Sequence, residues 1–212
     1  MVPADRLVAF AAMSFVLIVV PGPSVLFVIG RALAQGRRAV LTTVVGNTLG
    51  AYVVVVAVAV GIGAVVERSA VAFTVLKLAG AAYLVYLGIK AVRARGSLST
   101  ELAGNGPSRG GLRTLAEGFA VGVTNPKTIV FFAAVLPQFI DPAQGSVVVQ
   151  MLLLGLIFNV IGVASDTVWG LVAAAARDWF GRSPRRLAMV GGVGGLTMIG
   201  LGVTVAVTGR KD

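Results

Sequence analysis

Long apolar runs fill most of the chain, and short polar stretches separate them. Each run is continuously apolar rather than alternating, which favours helices over membrane-spanning strands. A helix needs about 20 mostly apolar residues to cross a bilayer. Six segments meet this need: residues 7–34 (interrupted), 39–66, 70–89, 115–139, 146–176 and 187–208. The pattern predicts an all-α integral membrane protein with six transmembrane helices, of which the first and fourth are broken.

Composition supports this class and narrows the chemistry. Hydrophobic residues make up 57% of the chain and charged residues only 12%, against about 25% charged residues in soluble domains. We therefore expect a single transmembrane domain over residues 1–212, and we interpret the first segment as a retained helix rather than a signal peptide. The chain has no cysteine and no histidine, so the usual catalytic base and zinc ligands are absent. We expect no cofactor, no metal site and no enzymatic activity.

The basic residues are distributed unevenly among the predicted loops. The net charge is +10, and 18 residues are lysine or arginine. Most of them, including Arg31, Arg37 and Arg38, fall in the first, third and fifth loops, which lie on one side of the membrane. The positive-inside tendency makes that side cytoplasmic and puts both termini outside. The charge thus indicates topology, and we expect no nucleic-acid partner.

The chain divides into two halves of three predicted spans each. A polar linker, residues 93–113, separates repeat one (1–92) from repeat two (114–212). Superposing Pro23 on Pro126 aligns "PSVLFVIGRALAQ" with "PKTIVFFAAVLPQ". Because each half has an odd number of spans, the two repeats are predicted to be inverted in the membrane. Inverted repeats with paired, interrupted helices are typical of secondary transporters and point to the substrate site.

The interruptions themselves supply the candidate binding chemistry. Proline and glycine let the chain leave helical geometry, and such backbone survives in a membrane only inside protein or beside a watery cavity. The half-helix that follows presents unpaired N–H groups, which favour an anion. A simple proline kink is the structural alternative for either break alone. The predicted substrate-binding residues at the breaks are Pro21, Gly22, Pro23, Ser24, Asn125, Pro126, Lys127 and Thr128.

Lys127 is the most informative of these residues. An ionisable side chain inside a membrane segment indicates function by default, and a cation at the beginning of a half-helix faces the positive end of the dipole. We therefore expect an anionic group nearby, either a protein carboxylate or the carboxylate of a bound solute. The alternative is a lysine whose ammonium extends to the membrane surface.

Two carboxylates lie within the predicted spans. On a helical period, Asn159 and Asp166 share a face with three glycines of the fifth segment, which suits a cavity wall or close helix packing. Asp166 is predicted to carry a proton or bind an amine, with a structural partnership with a lysine as the alternative. Glu117 is the second candidate for this role, although it lies nearer the interface. Asn47 is a further polar residue in the second segment, and we include it and Asn159 among the substrate-binding candidates.

Three stretches carry a family resemblance. "PGPSVLFVIGRALAQGRRA" (21–39), "KLAGAAYLVYLGIKAVRA" (77–94) and "GFAVGVTNPKTIVFFAAVLPQFID" (118–141) resemble, in order, signature regions of the LysE/RhtB family of bacterial amino-acid exporters. The resemblance implies export of amino acids or their derivatives from the cytoplasm through the inner membrane, coupled to the proton gradient. It marks Pro21, Gly22, Pro23, Asn125, Pro126 and Lys127 as motif residues.

The residues and the resemblance together predict a proton-coupled exporter that works by alternating access. Its partners would be an amino-acid solute, protons and membrane lipid. A homodimer is possible through the "GNTLG" motif, residues 46–50, which has the GxxxG spacing of close helix pairs. Alternative functions are an exporter or passive channel for another small anionic or zwitterionic solute, a divalent-cation exporter, and an enzyme using a Ser24–Lys127 dyad.

Overall fold

The computed structural model describes residues 2–68, 70–94, 110–176, 179 and 183–207, and these residues form helices and no strand. They contain a π-helical turn at Phe131–Val135 and 3₁₀ turns at Leu136–Phe139 and Pro142–Gln144. The α-helices of the described ranges are α1 (Ala4–Val19), α2 (Pro23–Gln35), α3 (Arg37–Arg68), α4 (Ala70–Ala94), α5 (Gly111–Thr124), α6 (Pro126–Val130), α7 (Val147–Ala175) and α8 (Pro184–Val207).

Helices occupy all six predicted segments. By length and composition, α3 over Arg37–Gly61 and α7 over Val147–Ala175 can each cross a membrane. The pair of α1 and α2 is bent by 48°, the pair of α5 and Pro126–Phe139 by 41°, and each pair qualifies as one further span. The all-helical class and both interruptions are thus confirmed. The linker over residues 93–113 lies mostly outside the described residues, so the division into repeats stays a prediction.

Both breaks have the backbone that proline imposes on its neighbours. Proline disfavours helical geometry in the residue before it, and Val20 and Asn125 are extended, with ψ values of 121° and 106°. Gly22 is extended as well, with φ −103° and ψ −168°. A new helix then begins directly at Pro23 and at Pro126, because the first helical position needs no N–H and suits the fixed φ of proline.

Close helix packing explains the "GNTLG" motif. A Cβ added to Gly46 or Gly50 of α3 would collide with the backbone of α5, and one added to Gly118 or Gly122 of α5 would collide with the backbone of α3. Small residues allow this approach of two helices inside a membrane. The motif therefore serves packing within one chain, and it gives no independent support for the predicted homodimer.

Candidate solute site between the two breaks

The two breaks, far apart in the sequence, lie together in the structure. Asn125 joins them, because its Nδ2 donates a hydrogen bond of 3.1 Å to Ser24 Oγ beside the first break. Its Oδ1 accepts a hydrogen bond of 3.2 Å from the Lys127 backbone N–H and so caps α6. One buried asparagine thus fixes the position of the second half-helix relative to the first.

Lys127 is buried at this junction, with 5% of its surface exposed. Its Nζ donates hydrogen bonds of 2.5 Å to Leu17 O and 2.8 Å to Val20 O, two carbonyls at the end of α1. The ammonium therefore does not extend to the membrane surface. The C-terminal end of a helix carries partial negative charge, and it supplies acceptors for this ammonium that the sequence did not reveal. An ammonium has three donors, and two of them are used here.

The first break is stabilised by other side chains as well. Trp169 of α7 donates its indole N–H to Val19 O at 3.0 Å, so a third carbonyl at the end of α1 is satisfied. Gly22 lies directly against Lys127: a Cβ at this position would lie 2.9 Å from Lys127 Cδ and 3.2 Å from Nζ. A side chain at this position would therefore require the lysine side chain to shift.

Asp166 and Asn47 form a buried polar pair opposite this junction. Asn47 Nδ2 donates a hydrogen bond of 2.8 Å to Asp166 Oδ2, and the two residues are 8% and 5% exposed. Since a carboxylate accepts only, the amide nitrogen faces Asp166 and the amide oxygen is turned away. That oxygen, Asn47 Oδ1, is buried and has no hydrogen-bond partner among the described residues.

A cavity of about 40 Å³ separates the two groups. Asp166 and Lys127 both line it and attract each other electrostatically, while no direct ion pair joins them within the described part of the chain. The predicted residues that line the cavity are Ser24, Asn47, Asn125, Lys127, Thr128, Asn159 and Asp166. Lining residues that we did not predict as binding residues are Ile18, Val25, Thr48, Ala51, Phe158 and Gly162.

The other predicted residues lie beside the cavity or away from it. Pro21, Gly22, Pro23 and Pro126 shape the breaks. Glu117 is not brought to the cavity: it forms an ion pair with Arg31 and a second one, at 3.1 Å, with Arg113. The dyad of Ser24 and Lys127 is not assembled, since the Ser24 hydroxyl accepts from Asn125 and the Lys127 ammonium binds backbone carbonyls.

The position of Arg31 corrects the sequence analysis, which assigned it to the first loop. Arg31 lies within α2, its side chain is 3% exposed, and its guanidinium lies 4.9 Å from the centre of the Phe27 ring. The helix continues past it and ends only at Gly36, whose φ of 80° suits glycine. The countercharge of Glu117 makes this burial tolerable.

The half-helices are connected on both sides of the breaks. On one side, the Arg31–Glu117 ion pair joins α2 to α5. On the other side, Arg6 of α1 lies 3.4 Å from Asp141. Phe10 lies beside this second connection, with ring centroids 5.8 Å from Phe131 and 5.3 Å from Phe139. Each of these two connections thus links the first broken segment to the second.

A cavity at two paired helix breaks, with a buried cation and a buried carboxylate on its wall, fits the transporter family that the signature stretches resemble. A family model described as LysE type translocator matches residues 15–209. The chain belongs to this family.

Relatives of this LysE-family chain are similar along most of its length. An uncharacterized membrane protein of Vibrio cholerae is 34% identical over 93% of this chain and 95% of its own length. A homoserine/homoserine lactone efflux protein of Salmonella typhimurium is 34% identical over 84% of this chain and 85% of its own. A leucine efflux protein of Enterobacter sp. is 25% identical over 91% of each chain. No solved structure matches the chain.

Proposed function

We propose that the protein is a secondary transporter that exports amino acids or small amino-acid derivatives from the bacterial cytoplasm across the inner membrane. The observation that carries this proposal is the placement of the buried Lys127 and Asp166 side chains on the wall of one cavity. A zwitterion carries the complementary pair of charges. The family membership and the names of the two efflux relatives support the same class of solute.

In this proposal the solute carboxylate binds at the first break. The third donor of the Lys127 ammonium is left for it, and the first turn of α2 adds unpaired backbone N–H groups. Ser24 lies at this turn and lines the cavity. The break thus offers several donors to one carboxylate, and charge-assisted hydrogen bonds of this kind are the stronger ones.

The solute amine binds on the opposite wall, between Asp166 and Asn47. The unpartnered Oδ1 of Asn47 is a buried acceptor, and a buried acceptor without a donor is unfavourable by about 1–3 kcal/mol. An ammonium beside Asp166 neutralises the carboxylate, and a donor of the solute that reaches Asn47 Oδ1 removes this penalty. When the solute leaves, a proton takes its place on Asp166, since a buried charge is unfavourable without an opposite charge in direct contact. Solute and proton thereby exclude each other, which couples export to the proton gradient.

Alternating access follows from two inverted repeats that move against each other around the central cavity. The helices at corresponding places in the two halves pack together, α3 against α7 and α4 against α8, and this packing supports a two-fold relation between the repeats. In this arrangement the chain has six spans with both termini outside. Arg31 and Glu117 then close the cytoplasmic side, and Arg6 and Asp141 close the external side.

Transport by the purified protein in proteoliposomes tests the function. We expect saturable uptake of a few labelled amino acids from a broad panel, accelerated when a pH gradient is imposed. Flux that neither saturates nor responds to the gradient indicates a passive channel instead. If no amino acid in the panel is transported, the proposal of an amino-acid exporter is wrong.

The two closures make a prediction that uses the absence of native cysteines. A cysteine at Thr48, which lines the cavity, reports its accessibility to a membrane-impermeant thiol reagent. Glu117→Gln deprives the buried Arg31 of its countercharge, so we expect faster labelling from the cytoplasmic face, by roughly fivefold for a loss of about 1 kcal/mol.

Asp141→Asn is the matched variant on the opposite side. It weakens the ion pair with Arg6, and we expect faster labelling from the external face alone. Equal labelling of all variants from both faces, or an increase on the same face for both, contradicts the assignment of these ion pairs as closures.

A further inference from the structure

Three glycines follow one face of α7, but they have different surroundings. A Cβ at Gly155 would collide with the side chain of Val55, and one at Gly170 would collide with Val40 and Val28. These two glycines are explained by close packing of α7 against neighbouring helices. At Gly162, between them, an added Cβ would meet no atom within 4 Å.

The space beside Gly162 belongs to the cavity. Gly162 is one of its lining residues, and it lies near the middle of α7, one helical turn from Asp166 and almost one turn from Asn159. A glycine inside a helix is unfavourable by about 1 kcal/mol relative to alanine. At Gly155 and Gly170, close packing explains why glycine is present despite this loss of helix stability. At Gly162, the described residues give no such packing reason, and the glycine leaves room in the cavity.

A second observation indicates that this room accommodates a ligand. Asn47, itself 8% exposed, lines the same cavity and has a buried amide oxygen without a partner among the described residues. An amide oxygen without a partner favours a bound donor, and Gly162 leaves open space on the wall of the same cavity. Phe158, one turn before Gly162, adds an apolar wall.

We propose that Gly162 determines which solutes the transporter accepts by size: the solute side chain occupies the space left by the missing side chain of residue 162. This inference rests on the proposed export of amino acids and names the part of the site that selects among them. The solutes it favours are α-amino acids with a short side chain, and each added methyl group at residue 162 removes room for one carbon of the solute.

The test compares transport of straight-chain amino acids by variants in proteoliposomes. The series runs from alanine through α-aminobutyrate and norvaline to norleucine. One methylene in a snug pocket changes selectivity by about 10–200-fold. For the Gly162→Ala variant we therefore expect the transport rate of the longest solute that the wild type carries to fall at least about tenfold, relative to the transport rate of free alanine. For the Gly162→Val variant we expect the preference among these solutes to move further toward free alanine, the shortest of them.

Two controls separate selectivity from misfolding. Gly61→Ala adds a methyl group to α3 where nothing lies within 4 Å and outside the cavity lining, so its preference should match the wild type. Melting temperature in detergent measures folding of each variant, and Gly162→Ala is the milder substitution because it enters open space.

The outcomes distinguish this inference from the function on which it rests. A wild-type protein that carries the series, with folded Gly162 variants that keep the same preference for length, overturns the role of Gly162 and leaves amino-acid export intact. A wild-type protein that carries no member of the series overturns the role of Gly162, and the broad panel of labelled amino acids then decides separately whether amino-acid export also fails. A graded loss of the longer solutes supports both.

Discussion

Replacing Lys127 by methionine should reduce gradient-driven transport at least about 100-fold. The substitution keeps an unbranched side chain, one atom shorter than lysine, but removes its charge and its donors. It leaves Leu17 O and Val20 O without the ammonium that satisfies them, and two buried, unsatisfied acceptors together are unfavourable by roughly 3 kcal/mol. It also removes the cation proposed to receive the solute carboxylate. Transport in proteoliposomes and melting temperature in detergent measure the two effects.

Binding experiments separate the structural role of Lys127 from its contact with solute. The wild type should bind a transported amino acid more tightly than the corresponding amide, which lacks the carboxylate. In folded Lys127→Met this preference should disappear. Lys90→Met is the matched control, because Lys90 is an exposed lysine at the end of α4. If Lys127→Met is less stable but keeps the full preference for the carboxylate, the lysine supports the break and does not bind solute.

The sequence predicts the local features of this site well, because proline, glycine and asparagine act on their immediate neighbours. Pro23 and Pro126 determine where α2 and α6 begin, and the residues before the breaks are extended for the same steric reason. A lysine next to a break is visible in the sequence without knowledge of the fold. The helical period also places Asn159 and Asp166 on one face, and both line the cavity.

The contacts between distant segments could not be predicted in this way. Asn47 and Asp166 are 119 residues apart, and Trp169 and Val19 are 150 apart, so their pairing depends on how the helices are arranged in space. For this reason the sequence pattern assigns Arg31 to a loop. From the sequence alone, an arginine near a basic loop indicates topology, and only the position of Glu117 on a neighbouring helix explains the burial of Arg31.

Asp166→Asn should make transport insensitive to the pH gradient and weaken amino-acid binding. The substitution preserves the shape of the side chain and an oxygen that can accept from Asn47, but it removes the charge that attracts the solute amine. A hydrogen bond to a charged group contributes about 1.5–3 kcal/mol, which corresponds to a loss of affinity of about 10–150-fold. Binding titration and uptake with and without the gradient measure both effects. Asp5→Asn, at an exposed carboxylate in the first turn of α1, is the matched control.

A double-mutant cycle decides between the solute-binding role of Asp166 and a purely structural partnership with Lys127. If the two charges only support each other, the variant carrying both Lys127→Met and Asp166→Asn is more stable than the sum of the single changes predicts, and Asp166→Asn alone leaves solute affinity unchanged in the folded protein. If Asp166 binds the amine, affinity falls in Asp166→Asn whether or not Lys127 is present. An Asp166→Asn protein that still accumulates solute in response to the pH gradient excludes the carboxylate as the coupling group, because an amide cannot exchange a proton for the amine.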